Sequence, residues 1–257
     1  MLKRFFITVS LLIATSQFAN ADIRFIQVAE SSYTINNTKH VEKCIEDINA
    51  IKDVDFVVFT GDNIAKARKE NLKGFLKILR KCNKPIYLAF GDKDVSKEKG
   101  LNKETYREEC FKYLGFGQSL KINYVFKKNG YVFLVADGAK EFFPAPNGYY
   151  KEETIDWLNK QLTKYQKKNV IILQHFPLLE SGTKEYNTYK AHLYKEMLEQ
   201  HSNVVAIVSG HFNTNIEEVH NGVTHIITPS YNSTMEYKII DIVGDSNEIY
   251  SQLRHVE

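Results

Sequence analysis

The sequence predicts an α/β domain in which helices pack against a mostly parallel β-sheet. Short apolar runs of strand length alternate with segments of helical periodicity through the first two thirds of the 257 residues. The chain is long enough for one domain with a two- or three-layer core, and it contains no internal repeat or linker-like segment. Several of the apolar runs end in a polar residue of metal-ligand type, which indicates a site at one edge of the sheet.

The first 21 residues have the order of features typical of a secretory signal peptide. Lys3 and Arg4 precede an apolar stretch at residues 5–14, and Ala19 and Ala21 give the small-x-small pattern of a cleavage site. We therefore predict a signal peptide at residues 1–21, a mature domain at 22–257, and export to the periplasm or the medium. The alternative is a buried N-terminal helix or strand. Residues 22–257 contain no apolar run of the roughly 20 residues that a membrane span needs.

Charge and cysteine content argue against two classes of protein. The formal net charge of +3 falls to about +1 without Lys3 and Arg4, which gives no reason to expect nucleic-acid or membrane binding. Three cysteines are too few for a fold held together by disulfides. In an oxidising compartment Cys44 and Cys82 would be the first pair to test, and three buried thiols are the alternative.

The first half of the chain reads as strand, helix, strand, helix, strand. Strands are predicted at residues 23–28, 54–59 and 86–90. The lysine-rich segment 66–84 places apolar residues at helical spacing, so its lysines are the exposed face of an amphipathic helix rather than a binding patch. The apolar face of this helix consists of Leu72, Phe75, Leu76 and Leu79, and that of the preceding helix of Val41, Cys44, Ile45 and Ile48.

The second half begins with a charged insertion at residues 95–117, predicted to be helical. Asn129 and Gly130 then predict a tight hairpin turn, because both tolerate a positive φ. A loop, a helix, a strand, a helix and a strand follow, and the chain ends in antiparallel pairs. The predicted strands of this half are residues 122–126, 131–136, 170–173, 204–208, 216–220, 223–228, 237–242 and 248–253.

Four residues that follow predicted strands form the candidate site. Asp62, Asp92, His175 and His211 each come just after a buried run. Carboxylates and imidazoles bind divalent metals, which neutralise phosphoryl oxygens and activate water. Each residue alone also fits a structural role: an aspartate capping a helix or tying a turn, as we expect of Asp94, or a histidine in the core. The combination of the four in this order favours a metal site.

These segments resemble the motifs of the calcineurin-like metallophosphoesterase superfamily over nearly the whole mature chain. The resemblance rests on Glu30-Ser31-Ser32 after the first strand, Gly61-Asp62-Asn63, Gly91-Asp92-Lys93-Asp94, a lone His175, and Gly210-His211-Phe212-Asn213. It implies a layered sandwich of mixed β-sheets flanked by helices. It also implies two metal positions that share Asp62.

The two metal positions differ in how many of the family's ligands this chain retains. One, here named the preserved position, has a full set of ligands, Asp62, Asp92, His175 and His211, with Asp92 in place of the family asparagine. The other, here named the weakened position, maps to Glu30, Ser32, Asp62 and Asn213, and it has lost two imidazoles. We therefore expect one or two divalent ions, with Mn²⁺, Fe²⁺, Zn²⁺ and Mg²⁺ as candidates.

The resemblance also implies roles around the metal. The family histidine near the leaving group becomes Lys93, which together with Asp62 is the predicted catalytic pair. Asn63 and Asn213 are predicted to contact the substrate. Glu30 is kept as a further metal ligand.

The function implied is that of an exported metal-dependent phosphoesterase acting by a metal-bound hydroxide on a phosphomonoester or phosphodiester. A catalytically inactive relative that serves as a binding or scaffold protein is the alternative, because the weakened position has lost its imidazoles. A third interpretation, an unrelated secreted binding protein with a ligand at the strand ends, predicts no metal and leaves the motif order unexplained.

Overall fold

The computed structural model describes residues 23–115, 117–244 and 247–257. The predicted signal peptide lies outside the described residues. The strands in chain order are β1 (Ile23–Val28), β2 (Phe56–Thr60), β3 (Ile86–Ala89), β4 (Tyr124–Lys128), β5 (Tyr131–Val135), β6 (Val170–Leu173), β7 (Val204–Ser209), β8 (Ile216–His220), β9 (Val223–Ile227), β10 (Glu236–Val243) and β11 (Glu248–His255). The α-helices are α1 (Thr38–Ala50), α2 (Lys69–Leu79), α3 (Lys103–Leu114), α4 (Glu152–Lys164), α5 (Ala191–Leu198) and α6 (Tyr231–Thr234). None of the helices in these residues has the length and hydropathy to cross a membrane.

The strands form two mixed sheets. One has five strands in the order β11-β10-β1-β2-β3, and the other has six in the order β4-β5-β6-β7-β9-β8. Within them, β1, β2 and β3 run parallel, as do β5, β6, β7 and β9, while β10 and β8 pair antiparallel with β1 and β9. The prediction of an α/β sandwich with mixed sheets flanked by helices is confirmed.

Side-chain alternation along the strands separates two cores. Phe25 and Phe56 belong to the core between the sheets, where their rings stack at 4.9 Å and Phe133 packs edge-on against both. Ile26 and Val57, their neighbours in sequence, belong to the cluster that also contains the helix side chains. Strands buried on both faces are uniformly apolar, which is why the sequence showed them as continuous runs.

Most predicted elements are found with shifts of a residue or two. The Asn129–Gly130 turn has φ of 46° and 86°, as a tight hairpin requires. The insertion contributes α3, and the lysine-rich segment contributes α2, whose apolar face is buried. All three cysteines are free, with Cys44 and Cys110 buried, so the Cys44–Cys82 pair is not formed in this structure.

The carboxyl ends of five strands meet at one edge of the sandwich, and Gln27 joins the two sheets beneath them. Gln27 is fully buried; its Nε2 donates to Thr60 Oγ1 (3.0 Å) and Ser209 O (2.7 Å). Its Oε1 accepts from the Thr228 hydroxyl at 2.6 Å. Because buried polar groups are costly unless paired, this satisfied network fixes β1 of one sheet against β7 of the other.

Candidate metal centre

Five loops that follow β1, β2, β3, β6 and β7 build the candidate site. The first two run side by side, since Glu30 N donates to Gly61 O (3.1 Å) and Ser32 N donates to Asp62 O (2.9 Å). The last two are joined by Gly210 N, which donates to His175 O at 3.1 Å. The loops are thus an extension of the parallel pairing of the strands, which places their polar side chains at a common point.

The site loops hold an unusual backbone geometry. Glu30, Ser32, Asp62, His211 and Asn213 have positive φ values of 50°, 41°, 51°, 74° and 54°. Residues with a Cβ rarely adopt this region, and each costs free energy that the surrounding structure must offset. The resemblance to the superfamily assigns a metal ligand to each of these five positions. The strained backbone therefore lies at the candidate site.

Two glycines make room for the ligands. A Cβ on Gly91 would lie 2.2 Å from both the backbone nitrogen and Oδ1 of Asp62. A Cβ on Gly61, which has φ of 91°, would lie 2.6 Å from His175 Nδ1. The Gly-Asp dipeptides of the motifs are therefore required sterically, because only glycine lets these loops approach so closely.

Three donor atoms converge at the centre of the site: Asp92 Oδ1, His175 Nε2 and His211 Nδ1. Asp92 Oδ1 lies 3.5 Å from His175 Nε2 and 3.6 Å from His211 Nδ1, and the two nitrogens are 3.1 Å apart. A tetrahedral ion with bonds of about 2.1 Å separates its ligand atoms by about 3.4 Å. The three atoms thus fit a single divalent cation, and among the described residues they form the one such cluster of histidine, cysteine or carboxylate groups.

His175 is held in the orientation that a metal ligand needs. It is fully enclosed, and its Nδ1 lies 2.7 Å from the carbonyl oxygen of Thr60. A carbonyl only accepts, so Nδ1 carries a proton and Nε2 faces the cluster. Burial lowers the pKa of His175, but the Asp62 and Asp92 carboxylates outweigh it and raise the pKa to about 9. The site therefore attracts positive charge.

Asp92 and His211 carry polar atoms with no partner. Asp92 Oδ1 and His211 Nε2 are buried and make no hydrogen bond within the described residues. Buried polar atoms without a partner are rare, and Asp92 Oδ1, one of the three converging atoms, would gain its partner from a bound cation. His211 Nε2 is the other ring nitrogen, which carries the proton when Nδ1 is the ligand atom. Burial and the neighbouring His175 charge lower the pKa of His211 to about 3, which keeps this imidazole neutral and able to bind a cation.

Asp62 lies beside the cluster but is held by Lys93. Its Oδ1 is 3.7 Å from His175 Nε2 and accepts from Lys93 N at 2.9 Å, while its Oδ2 forms an ion pair with Lys93 Nζ. Asp62 caps no helix, since α2 begins at Lys69 with Arg68 at its N-cap. The structure therefore places the two predicted catalytic residues beside the cluster and in direct contact with each other.

At the weakened position the side chains bond to other parts of the protein. Glu30 is buried, and its Oε1 accepts from the backbone nitrogen of His211. Burial raises the pKa of Glu30 to about 7, with Asp62 adding to the rise. Ser32 directs its backbone to Asp62, and Asn213 is exposed. The structure thus shows Glu30 tying the first loop to the last, with no imidazole at residues 32 and 213.

Asn63 and Asp94 belong to a buried network behind the ligands. Asn63 is 1% exposed, and its Nδ2, which has two hydrogens to donate, lies 2.9, 3.1 and 3.1 Å from Ala89 O, Asp94 Oδ2 and Tyr106 OH. Asp94 also accepts from Gly91 N at 2.8 Å and Ile64 N at 3.1 Å. Asp94 therefore ties the turn, as expected. The substrate contact of Asn63 stays a prediction, and the amide nitrogen of this residue is engaged in the network.

Two nearby residues were not predicted from the sequence. The Tyr186 ring packs against His211 with centroids 5.6 Å apart and is 43% exposed. Burial lowers the pKa of Lys140, and the Asp92 carboxylate acts in the opposite direction, which places this lysine within electrostatic range of the site. Both lie in loops with no motif, so only the fold brings them to the ligands.

Comparisons with known proteins agree with this geometry. Residues 34–214 match the calcineurin-like phosphoesterase family. A protein of Arcobacter nitrofigilis named "Probable glycerophosphodiester phosphodiesterase GpdQ" is 26% identical over 178 residues, which are 67% of this chain and 62% of that protein. A "3',5'-cyclic adenosine monophosphate phosphodiesterase CpdA" of Haemophilus influenzae is 22% identical over 181 residues, covering 69% and 61%. The match thus spans about three fifths of each relative.

Among solved structures, a dimetal phosphatase from Danio rerio has the same fold. It superposes with a TM-score of 0.70 at 14% identity, covering 90% of this chain and 99% of that one. The match to the family covers well over half of the sequence and includes Asp62, Asp92, His175 and His211. Divalent metal ions are the cofactors that this fold implies, and the ligand cluster for one is present. The chain belongs to the calcineurin-like phosphoesterase family.

Proposed function

We propose that this protein is a metal-dependent phosphoesterase with one divalent ion at the preserved position. The observation that carries the proposal is the convergence of Asp92 Oδ1, His175 Nε2 and His211 Nδ1 within 3.6 Å of one another. Asp62, 3.7 Å from His175 Nε2, is the fourth residue that would reach such an ion. The donor set of carboxylate oxygen and imidazole nitrogen suits Mn²⁺, Fe²⁺ or Zn²⁺.

A bound divalent ion supplies a Lewis acid that neutralises phosphoryl oxygens and lowers the pKa of water. The residues of the chain hold the metal ligands in place. Thr60 O holds the ring of His175, and Glu30 holds the backbone of the His211 loop, so the ligands keep their positions without substrate. Lys93 brings a positive charge to the same edge of the site, on a side chain that is 45% exposed.

For the substrate we propose a phosphodiester, with phosphomonoesters as the second class to test. Support comes from two relatives that are named for phosphodiesterase activity, although this chain matches only about three fifths of each. The exposed ring of Tyr186 beside His211 offers an apolar surface for the organic part of an ester. We further propose that the protein is exported, on the pattern of the first 21 residues.

The test combines metal analysis with turnover. The purified chain is dialysed against Mn²⁺, its metal content is measured, and a chromogenic phosphodiester and monoester are assayed. The same is done for His175→Ala and for the control His192→Ala, an exposed imidazole on α5. We expect bound Mn²⁺ and turnover in the wild type and the control, and loss of both in His175→Ala. Absence of metal from the wild type would refute the proposal.

A non-catalytic binding protein is the second candidate, favoured by the absence of imidazoles at Ser32 and Asn213. It predicts bound metal without turnover in the wild type. In that case Ser32→His combined with Asn213→His should create activity that the natural chain lacks. Turnover by the unmodified protein that depends on His175 excludes this candidate.

A further inference from the structure

A positive charge of the chain itself lies against Asp62, the residue that the two metal positions share. Lys93 Nζ forms an ion pair with Oδ2 of Asp62, whose side chain is 1% exposed, and Lys93 N donates to Oδ1 of the same carboxylate at 2.9 Å. One residue therefore engages both oxygens of Asp62. A backbone bond and a side-chain bond to the same carboxylate fix where the ammonium lies.

The acidic groups around Lys93 are distributed asymmetrically. Lys93 pairs with Asp62, and Glu30 is held by the backbone nitrogen of His211. The imidazoles of His175 and His211 lie with Asp92 in the preserved position. Glu30 and Asp62 belong to no second cluster of potential metal ligands in the part of the chain that the structure describes.

From this arrangement we infer that the Lys93 ammonium serves as the second cation of the site, in the place where a two-metal enzyme would hold another ion. The inference rests on the proposed function and specifies its catalytic apparatus. An ammonium has three donors. One is used on Asp62, and because the side chain is 45% exposed, the others can reach a phosphoryl oxygen that also contacts the ion at the preserved position.

The inference explains which ligands this chain lacks. An ammonium needs a carboxylate partner and no imidazole, so Asp62 suffices where Ser32 and Asn213 provide no nitrogen ligand. A lysine held by the fold is always present, whereas a weakly bound ion depends on its concentration. Because Lys93 already holds Oδ2 of Asp62, a second divalent ion would have to displace it. We therefore expect one ion per chain.

The first test measures phosphate binding rather than turnover. The Mn²⁺-loaded protein is titrated with inorganic phosphate by calorimetry in the wild type, Lys93→Met, Lys93→Arg and the control Lys99→Met, an exposed lysine of the same segment. We expect Lys93→Met to keep one Mn²⁺ and to lose phosphate affinity by about 10- to 100-fold. Lys93→Arg should recover most of the affinity, and Lys99→Met should equal the wild type.

The second test measures ion number. The pair Ser32→His and Asn213→His should still bind one Mn²⁺ while Lys93 is present, and two once Lys93→Met is added. Two ions in the wild type, or unchanged phosphate affinity in folded Lys93→Met, would overturn the role of Lys93 and leave the proposed function intact. A wild type that binds no Mn²⁺ would refute the proposed function and this inference together, and circular dichroism verifies folding of each variant.

Discussion

Gly91→Ala is the substitution whose effect on the site follows most directly from the structure. The new Cβ would lie 2.2 Å from Asp62 N and 2.2 Å from Asp62 Oδ1, whereas ordinary contacts begin at 3.4 Å. The two loops must therefore separate by about 1 Å. Gly91 is not among the glycines with positive φ, so the effect is steric and not a matter of backbone conformation.

The expected cost has two parts. Overpacking of this kind lowers the free energy of unfolding by about 1–3 kcal/mol, which corresponds to a fall in Tm of roughly 2–12 °C for a domain of this size. Displacement of Asp62 by about 1 Å should also lower turnover by about 100-fold, because reacting groups tolerate little misplacement. The assays are urea unfolding followed by circular dichroism, and phosphodiester hydrolysis in the presence of Mn²⁺.

Gly182→Ala is the matched control, since a Cβ there meets nothing within 4 Å and its φ is not positive. We expect its stability to change by less than about 0.5 kcal/mol and its turnover to equal that of the wild type. If Gly91→Ala behaves like this control in both assays, the close approach of the two loops is not needed, and the steric reasoning is wrong.

Three further predictions concern the metal, pH and a buried ion pair. Mn²⁺ at about 100 times its Kd should stabilise the wild type by about 2.7 kcal/mol and raise Tm by roughly 5–10 °C, and thermal denaturation of His175→Ala should show almost none of this rise. Burial, followed by the charge of His220, lowers the pKa of His225 to about 4. Between pH 6.5 and 4 the unfolded chain therefore binds more protons at His225 than the folded protein does, so the free energy of unfolding falls as the pH falls through that window. The loss should reach about 2 kcal/mol at pH 5. Urea titrations of His225→Gln should show a smaller loss. Lys103 and Asp137 form an ion pair whose side chains are 6% and 9% exposed. Lys103→Met leaves the Asp137 charge buried and unpaired and should lower the free energy of unfolding by about 3–5 kcal/mol, whereas Lys103→Met with Asp137→Asn should lower it clearly less. Equal losses in the two variants would show that an unpaired buried charge is not the cause.

Local patterns predicted the strands and the order of the ligands. Residues 170–173 form β6 as expected, and Asn129–Gly130 forms the hairpin turn, because burial on both faces and positive φ leave direct marks on composition. The strand-end positions of Asp92, His175 and His211 indicated their convergence, because the carboxyl ends of parallel strands share one edge.

Contacts between residues far apart in the sequence could not be predicted from local patterns. The final hairpin, β10 and β11, reads as a terminal antiparallel pair, and nothing in its residues shows that β10 joins β1 at the other end of the chain. Lys93 and Asp62 are likewise 31 residues apart, and their ion pair depends on how two loops meet. The engagement of Asn63 by Asp94 and Tyr106 has the same origin, and no local pattern in the sequence indicates this buried network.

A crystal structure of the protein grown with Mn²⁺, with anomalous diffraction used to locate the ions, would show directly whether the metal centre exists. We predict one anomalous peak per chain, bonded to Asp92 Oδ1, His175 Nε2 and His211 Nδ1, with Lys93 Nζ still on Asp62. The absence of a peak among these three atoms, despite saturating Mn²⁺, would contradict the metal centre on which the proposed function depends.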